Sequence, residues 1–168
     1  MLLHDSKDFS DLLTVVARDQ AIDPGLVEKD YWIMHSLWGL QQLGFAFELE
    51  GGTSLSKGYG LIHRFSEDLD LLIHPDGDLP TGKNQNKPLH VEARRAFYDG
   101  LVPKLAIAGF EGAERDDAFD DSRMRSAGMP SLPQCLCAAG GRQNWYLTGS
   151  RLRSGGAKPA LPDQFMGL

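Results

Sequence analysis

A mixed α/β (α+β) fold, one sheet flanked by helices, is what this sequence predicts, and three observations carry it. Amphipathic or broadly apolar stretches of helical period precede residue 45. Two short stretches of strand character follow, at 45–50 and 68–73. A further stretch of helical period opens at Pro88. A helix or a sheet buries its apolar side only against another element, so these pieces must share one core.

The elements follow in order. Leu12, Leu13, Val15 and Val16 stand among Asp8, Asp11, Arg18 and Asp19, the pattern of a short amphipathic helix. Asp23 before Pro24 marks the next helix start, with a capping carboxylate and a proline at the first helical position. Its apolar face is read as Leu26, Tyr31, Ile33, Met34, Leu37, Trp38 and Leu43, with Gly44 closing it. The stretch at 45–50 alternates apolar and polar residues, so it reads as a strand. Gly51 and Gly52 end it, and Thr53 is placed to cap a short helix running to Gly58. The run DLDLLI at 68–73 reads as a second strand. Four Gly or Pro breaks make 74–87 a loop, and the helix after Pro88 extends to about residue 108 with a kink at Pro103.

The formal net charge of −6 is a poor footing for a nucleic-acid binder, so any such role must rest on local patches. Arg94 and Arg95, with Lys83 and Lys87 nearby, are one candidate patch for an RNA backbone, against the plainer reading of a solvated helix face. No apolar run approaches membrane-spanning length, and the start reads as no signal peptide. Cys135 and Cys137 form no disulfide framework and have no second pair to complete a zinc site, so a cytoplasmic setting is expected.

The chemistry concentrates at 50–73, EGGTSLSKGYGLIHRFSEDLDLLI. Alternate residues of a strand share a side, so Asp68 and Asp70 present two carboxylates to one space. Without a cation they would repel; together they suit Mg²⁺, which prefers carboxylate, phosphate and water oxygens. Gly51 and Gly52 let backbone come close to a phosphate, and N–H groups at a helix start favour an anion. Thr53 and Ser54 add hydroxyls, while Lys57 and Arg64 are within reach of a triphosphate. A DxD pair, a Gly-Gly turn or a surface lysine alone is weak. Their order, strand then glycines, hydroxyls, helix and carboxylate strand, is specific.

GGTSLSKGY followed by RFSEDLDLLI resembles the first motif of the AbiEii/AbiGii toxin nucleotidyltransferases, within the DNA polymerase β-like superfamily. VEKDYWI, at 27–33, resembles the N-terminal helix of that family, and the likeness covers roughly residues 25–128. The resemblance implies a nucleotidyltransferase-like mixed sheet and an enzyme of a toxin–antitoxin or phage-defence system. It implies that Gly51, Gly52, Thr53, Ser54, Lys57 and Arg64 bind a nucleoside triphosphate. Asp68 and Asp70 would hold catalytic Mg²⁺, with Lys57 beside them on phosphate. A tRNA acceptor and a cognate antitoxin are the implied partners. Glu28, Lys29, Asp30, Tyr31 and Trp32 belong to the likeness but receive no chemistry.

The division expected is a nucleotidyltransferase core at 1–121 and an irregular, poorly ordered tail at 122–168. Eleven basic and 22 acidic residues lie up to Asp121, against six basic residues and one acid, Asp163, beyond it. The tail carries few large apolar residues, and ordering a residue costs about 1–2 kcal/mol of backbone entropy. The likeness breaks near Met129, as in a truncated or frameshifted member, and the acid-bearing later strand of the family is missing. Three other readings compete: an inactive remnant, a non-catalytic antitoxin-binding protein, and a different DxD enzyme such as a glycosyltransferase. The last does not require the Gly-Gly-hydroxyl turn.

Overall fold

The computed structural model describes residues 1–61, 69–75 and 77–133, and the backbone of 145–152. The chain runs α1 (Phe9–Gln20), α2 (Pro24–Gln42), β1 (Phe47–Leu49) and α3 (Gly51–Thr53), which passes into a π-helical turn at Ser54–Gly58. Then come β2 (Leu71–Ile73), α4 (Pro88–Leu101), β3 (Phe110–Ala113), β4 (Ser126–Pro133) and β5 (Trp145–Leu152). The five strands form one sheet in the order β1-β2-β5-β4-β3. Only the β2–β5 pair is parallel among the pairings described. The mixed α/β class and the adjacency of the first two strands are as the sequence predicts: Phe47 pairs with Ile73 and Leu49 with Leu71.

Helix α2 starts where its signals place it, with the Asp23 carboxylate accepting from the Gly25 N–H at 2.8 Å. Its buried face differs from the one read from periodicity. Leu26, Trp38 and Leu43 are exposed, whereas Val27, Trp32, Ile33, Leu37 and Leu40 are buried. Polar Glu28, His35 and Ser36 are buried along with the apolar residues, so the helix shows no single apolar stripe and tertiary packing selects the face. Trp32, Leu37 and Leu40 join Leu71 and Ile73 of β2, Tyr98 and Leu101 of α4, and Ala127 and Met129 of β4 in the main core. Each large apolar side chain buried there contributes about 1.5–3 kcal/mol. Phe9, Leu13 and Ala17 of α1 make a smaller cluster with Val27.

Helix α4 ends at Leu101, short of the expected 108, because Val102–Lys104 tightens into a 3-10 turn around Pro103. Arg94 on α4 is fully buried, which overturns its reading as a solvated or RNA-facing cation. Its guanidinium donates to the carbonyls of Arg123, Pro80 and Gln85 at 2.5–2.9 Å. Arg125 donates to the Thr81 and Gly82 carbonyls at 2.9 and 2.8 Å. Two arginines thus fix the loop at 79–87 through its own backbone. Burial, with Arg125 beside it, pulls the Arg94 guanidinium below its ordinary pKa.

Asp121 prepares the entry to β4. Its carboxylate accepts from the N–H groups of Arg123, Arg125 and Ser126. That local bonding holds buried Met124 at φ +52, a left-handed value that a non-glycine residue adopts only when its surroundings impose it.

Strands β4 and β5 both lie beyond Ser122, in the stretch read from sequence as irregular. For these two segments that expectation is corrected. The signal was hidden because β4, SAGMPSLP, carries Gly and two Pro residues that ordinarily argue against a strand. Its partners supply the order instead: Ser126 pairs with Arg151 and Ser131 with Trp145, while Ala113 pairs with Ser131 on the other side. The cysteine pair and residues 153–168 lie outside the described residues.

Candidate functional site

β1 delivers the chain to Glu50, whose N–H donates to the Asp70 carbonyl at 2.8 Å, so the ends of β1 and β2 are tied together. Gly51 then turns at φ +63, in the left-handed region where glycine is favoured. A Cβ at Gly51 would collide with the Asp70 carboxylate. The first glycine of the turn and the second carboxylate of the DxD therefore meet. Asp70 is half-buried. Asp68 and Arg64, the other two residues expected on this side, lie outside the described residues.

The hydroxyls are placed differently from one another. Thr53 is buried, facing the interior. It lies inside α3, whose N-cap is Glu50. Ser54 donates its hydroxyl to the Gly51 carbonyl at 2.8 Å, which closes the turn on itself. Ser56 donates to the Thr53 carbonyl at 3.3 Å. After Thr53 the helix widens: Tyr59 N–H reaches the Ser54 carbonyl at 3.0 Å, five residues back, a π-type ring. Such rings occur mostly as single turns, frequently at functional sites.

Lys57 rides on that widened turn. Its Nζ lies 2.6 Å from Asp30 Oδ2 of α2, with the two side chains 26% and 17% exposed. Asp30 was given no chemistry from sequence; the signal available for it was its place in VEKDYWI. The other oxygen, Asp30 Oδ1, is buried with no hydrogen-bond partner. Nearby, His74 Nε2 lies 2.9 Å from Glu48 Oε1, a cross-strand pair between β1 and the residue that follows β2.

The donor set is all oxygen: Asp70 in place against Gly51, with Asp68 two residues before it in sequence. That chemistry suits Mg²⁺, which is held by one or two carboxylates together with substrate phosphates. Among the described residues no group of three or more His, Cys, Asp or Glu side chains clusters as a metal site. Nor is any helix among them long and apolar enough to cross a membrane.

No curated protein and no solved structure matches the chain. Residues 33–129 match the family model described as nucleotidyl transferase AbiEii toxin, type IV toxin–antitoxin system. The matched segment contains β1, the Gly-Gly turn, the DxD and the first half of β4, and it stops at the residue near which the sequence likeness breaks. It spans more than half of the chain, so the chain belongs to the AbiEii family of nucleotidyltransferase toxins.

Proposed function

We propose that this chain binds a nucleoside triphosphate with Mg²⁺ between the Gly-Gly turn and the DxD carboxylates, and that it transfers a nucleotidyl group to an acceptor such as tRNA. The observation that carries the reading is the meeting of Gly51 and Asp70. A glycine backbone, which can approach a phosphate closely, lies beside a carboxylate, which can share a cation with that phosphate, and this supports the reading.

In this reading the N–H groups of Gly51 and Gly52 receive phosphate oxygens. Ser54 shapes the turn through its bond to the Gly51 carbonyl, and buried Thr53 anchors it. Lys57 and Arg64 neutralise phosphate charge. Asp68 and Asp70 would hold Mg²⁺, which when bound stabilises charge on the phosphoryl oxygens. The acceptor hydroxyl attacks the α-phosphorus in line, and pyrophosphate leaves with the electrons of the broken P–O bond. The hydroxyl proton needs a base. β5 is the neighbour of β2, and WYLTGSRL contains no acid. The chain therefore offers no carboxylate from that strand, and binding is expected to exceed transfer. The same observation favours a second reading, an antitoxin-binding protein that keeps the nucleotide site without turnover.

Titration with each of the four nucleoside triphosphates, with and without Mg²⁺, tests the proposal. Mg²⁺-dependent binding is expected. Asp70→Asn should raise Kd at least about tenfold, the loss of one charge-assisted contact, with the circular dichroism spectrum unchanged. Equal Mg²⁺-dependent affinity in Asp68→Asn/Asp70→Asn would overturn it. Added acceptor tRNA then separates the two readings by whether labelled nucleotide is incorporated.

A further inference from the structure

Asp30 of α2 and Lys57 of the π-helical turn meet at 2.6 Å, and from this pair we infer that Asp30 is a positioning residue which holds the Lys57 ammonium ready for the triphosphate. The inference rests on the proposed nucleotide reading and adds a residue to it.

The pair links two parts of the fold that differ in rigidity. On α2, Trp32 and Ile33 lie two and three residues after Asp30, and both are buried. Asp30 is thus mounted on a firmly packed element. Lys57 is mounted on a widened turn whose neighbours Leu55, Tyr59 and Leu61 are exposed. A lysine carries a large rotamer entropy, and a phosphate that had to order it would bind more weakly. A carboxylate on a rigid helix removes that cost beforehand. An ammonium with three donors can serve a carboxylate and a phosphate oxygen together.

The pair is also poorly suited to stability alone. Asp30 Oδ1 is buried without a hydrogen-bond partner, and an unsatisfied carboxylate oxygen costs desolvation that folding does not recover. A partly buried ion pair is weak grounds for stability. Its value lies in where it puts Lys57. The Gly51–Thr53 turn that begins this helical segment is the part set against Asp70, and Lys57 lies on the π-helical turn that continues it.

The experiment measures Kd for Mg²⁺–nucleoside triphosphate and for Mg²⁺–tripolyphosphate in Asp30→Asn, Lys57→Gln and the double variant, with melting temperatures alongside. Each single variant should weaken both ligands about tenfold, and the double no further than either alone. Asp30→Glu should recover most of the affinity. The exchanged pair Asp30→Lys/Lys57→Asp should keep the cross-link and the melting temperature but not the affinity. Wild-type affinity in Asp30→Asn, or multiplicative losses in the double variant, would overturn the positioning role. So would affinity restored by the exchanged pair, which would make the contact structural only. Absence of nucleotide binding by the native chain is a different result: it defeats the nucleotide reading itself, and this inference with it.

Discussion

The loop at 79–87 and the turn at Gly51–Gly58 are both connections beside the sheet, yet they are held in opposite ways. The loop is gripped from inside: fully buried Arg94 and half-buried Arg125 donate to its carbonyls, and α4 and the start of β4 are tied to it through those two guanidinium groups. The turn is made of glycines, hydroxyls bonded to their own backbone, and one ion pair to α2. One region stores its cohesion in desolvated charge; the other keeps a carboxylate half-buried at a place where backbone can be approached. The difference teaches that charged residues of this chain divide by burial and not by type. Arg94 on α4 is a structural rivet, and Asp70, just before β2, is the carboxylate to which the proposed chemistry is assigned.

The largest effect should come from breaking the rivet. Arg94→Met removes a fully buried cation whose four bonds satisfy three carbonyls, and a loss of about 3–5 kcal/mol in denaturant unfolding is expected. Arg95→Ala on the same helix, an exposed residue 3.8 Å from Asp120, should cost less than about 0.5 kcal/mol. Equal losses for neighbouring residues 94 and 95 would erase the contrast. Gly51→Ala comes next. It strains a left-handed backbone and drives a methyl into Asp70, so a loss of about 1–3 kcal/mol should accompany weakened nucleotide binding. Full nucleotide affinity in that variant would separate the turn from the carboxylate.

The smallest effect concerns the N-terminal segment. His4 Nδ1 lies 2.7 Å from the Tyr31 hydroxyl, and its ring centroid is 4.8 Å from those of Trp32 and His35. Burial, and then His35, hold the His4 pKa below its ordinary 6.5, against the pull of Asp5. A depressed pKa means that the unfolded chain binds the proton more readily. The stability contributed is full above the unfolded value and is lost as pH falls through the folded one. Melting temperature should therefore drop between about pH 7.5 and about pH 5.5. In His4→Phe that part of the drop should vanish, and an unchanged profile would show that His4 docks without regard to its charge.

Much of this was legible in the sequence where the signal is local. The Gly-Gly turn, the strand pair around it and the start of α2 at Asp23 each rest on residues within a few positions of one another. The rest depends on partners far along the chain. Arg94 looks like any helix-surface arginine until the carbonyls of Pro80, Gln85 and Arg123 surround it. β4 looks like a broken coil until β3 and β5 flank it. Asp30 looks like a helix-surface acid until the widened turn brings Lys57 to it. Periodicity carries no information about such meetings, so Arg94, β4 and Asp30, each defined by distant partners, were the features it missed.

The parallel pairing of β2 with β5 has a consequence in time. Leu72 finds its partner at Arg151, so nearly half of the polypeptide intervenes between two strands that lie side by side. β1 and β2 can close early, through a short connection, and present the Gly51–Asp70 corner. The far edge of β2 must wait, since long loops close slowly and non-local strands pair late. During synthesis the corner is complete on one flank while the other still shows unpaired backbone groups. That interval is when the nascent chain is most open to wrong strand pairing, and also when a protein that recognises the bare β2 edge could capture the toxin before its sheet is finished.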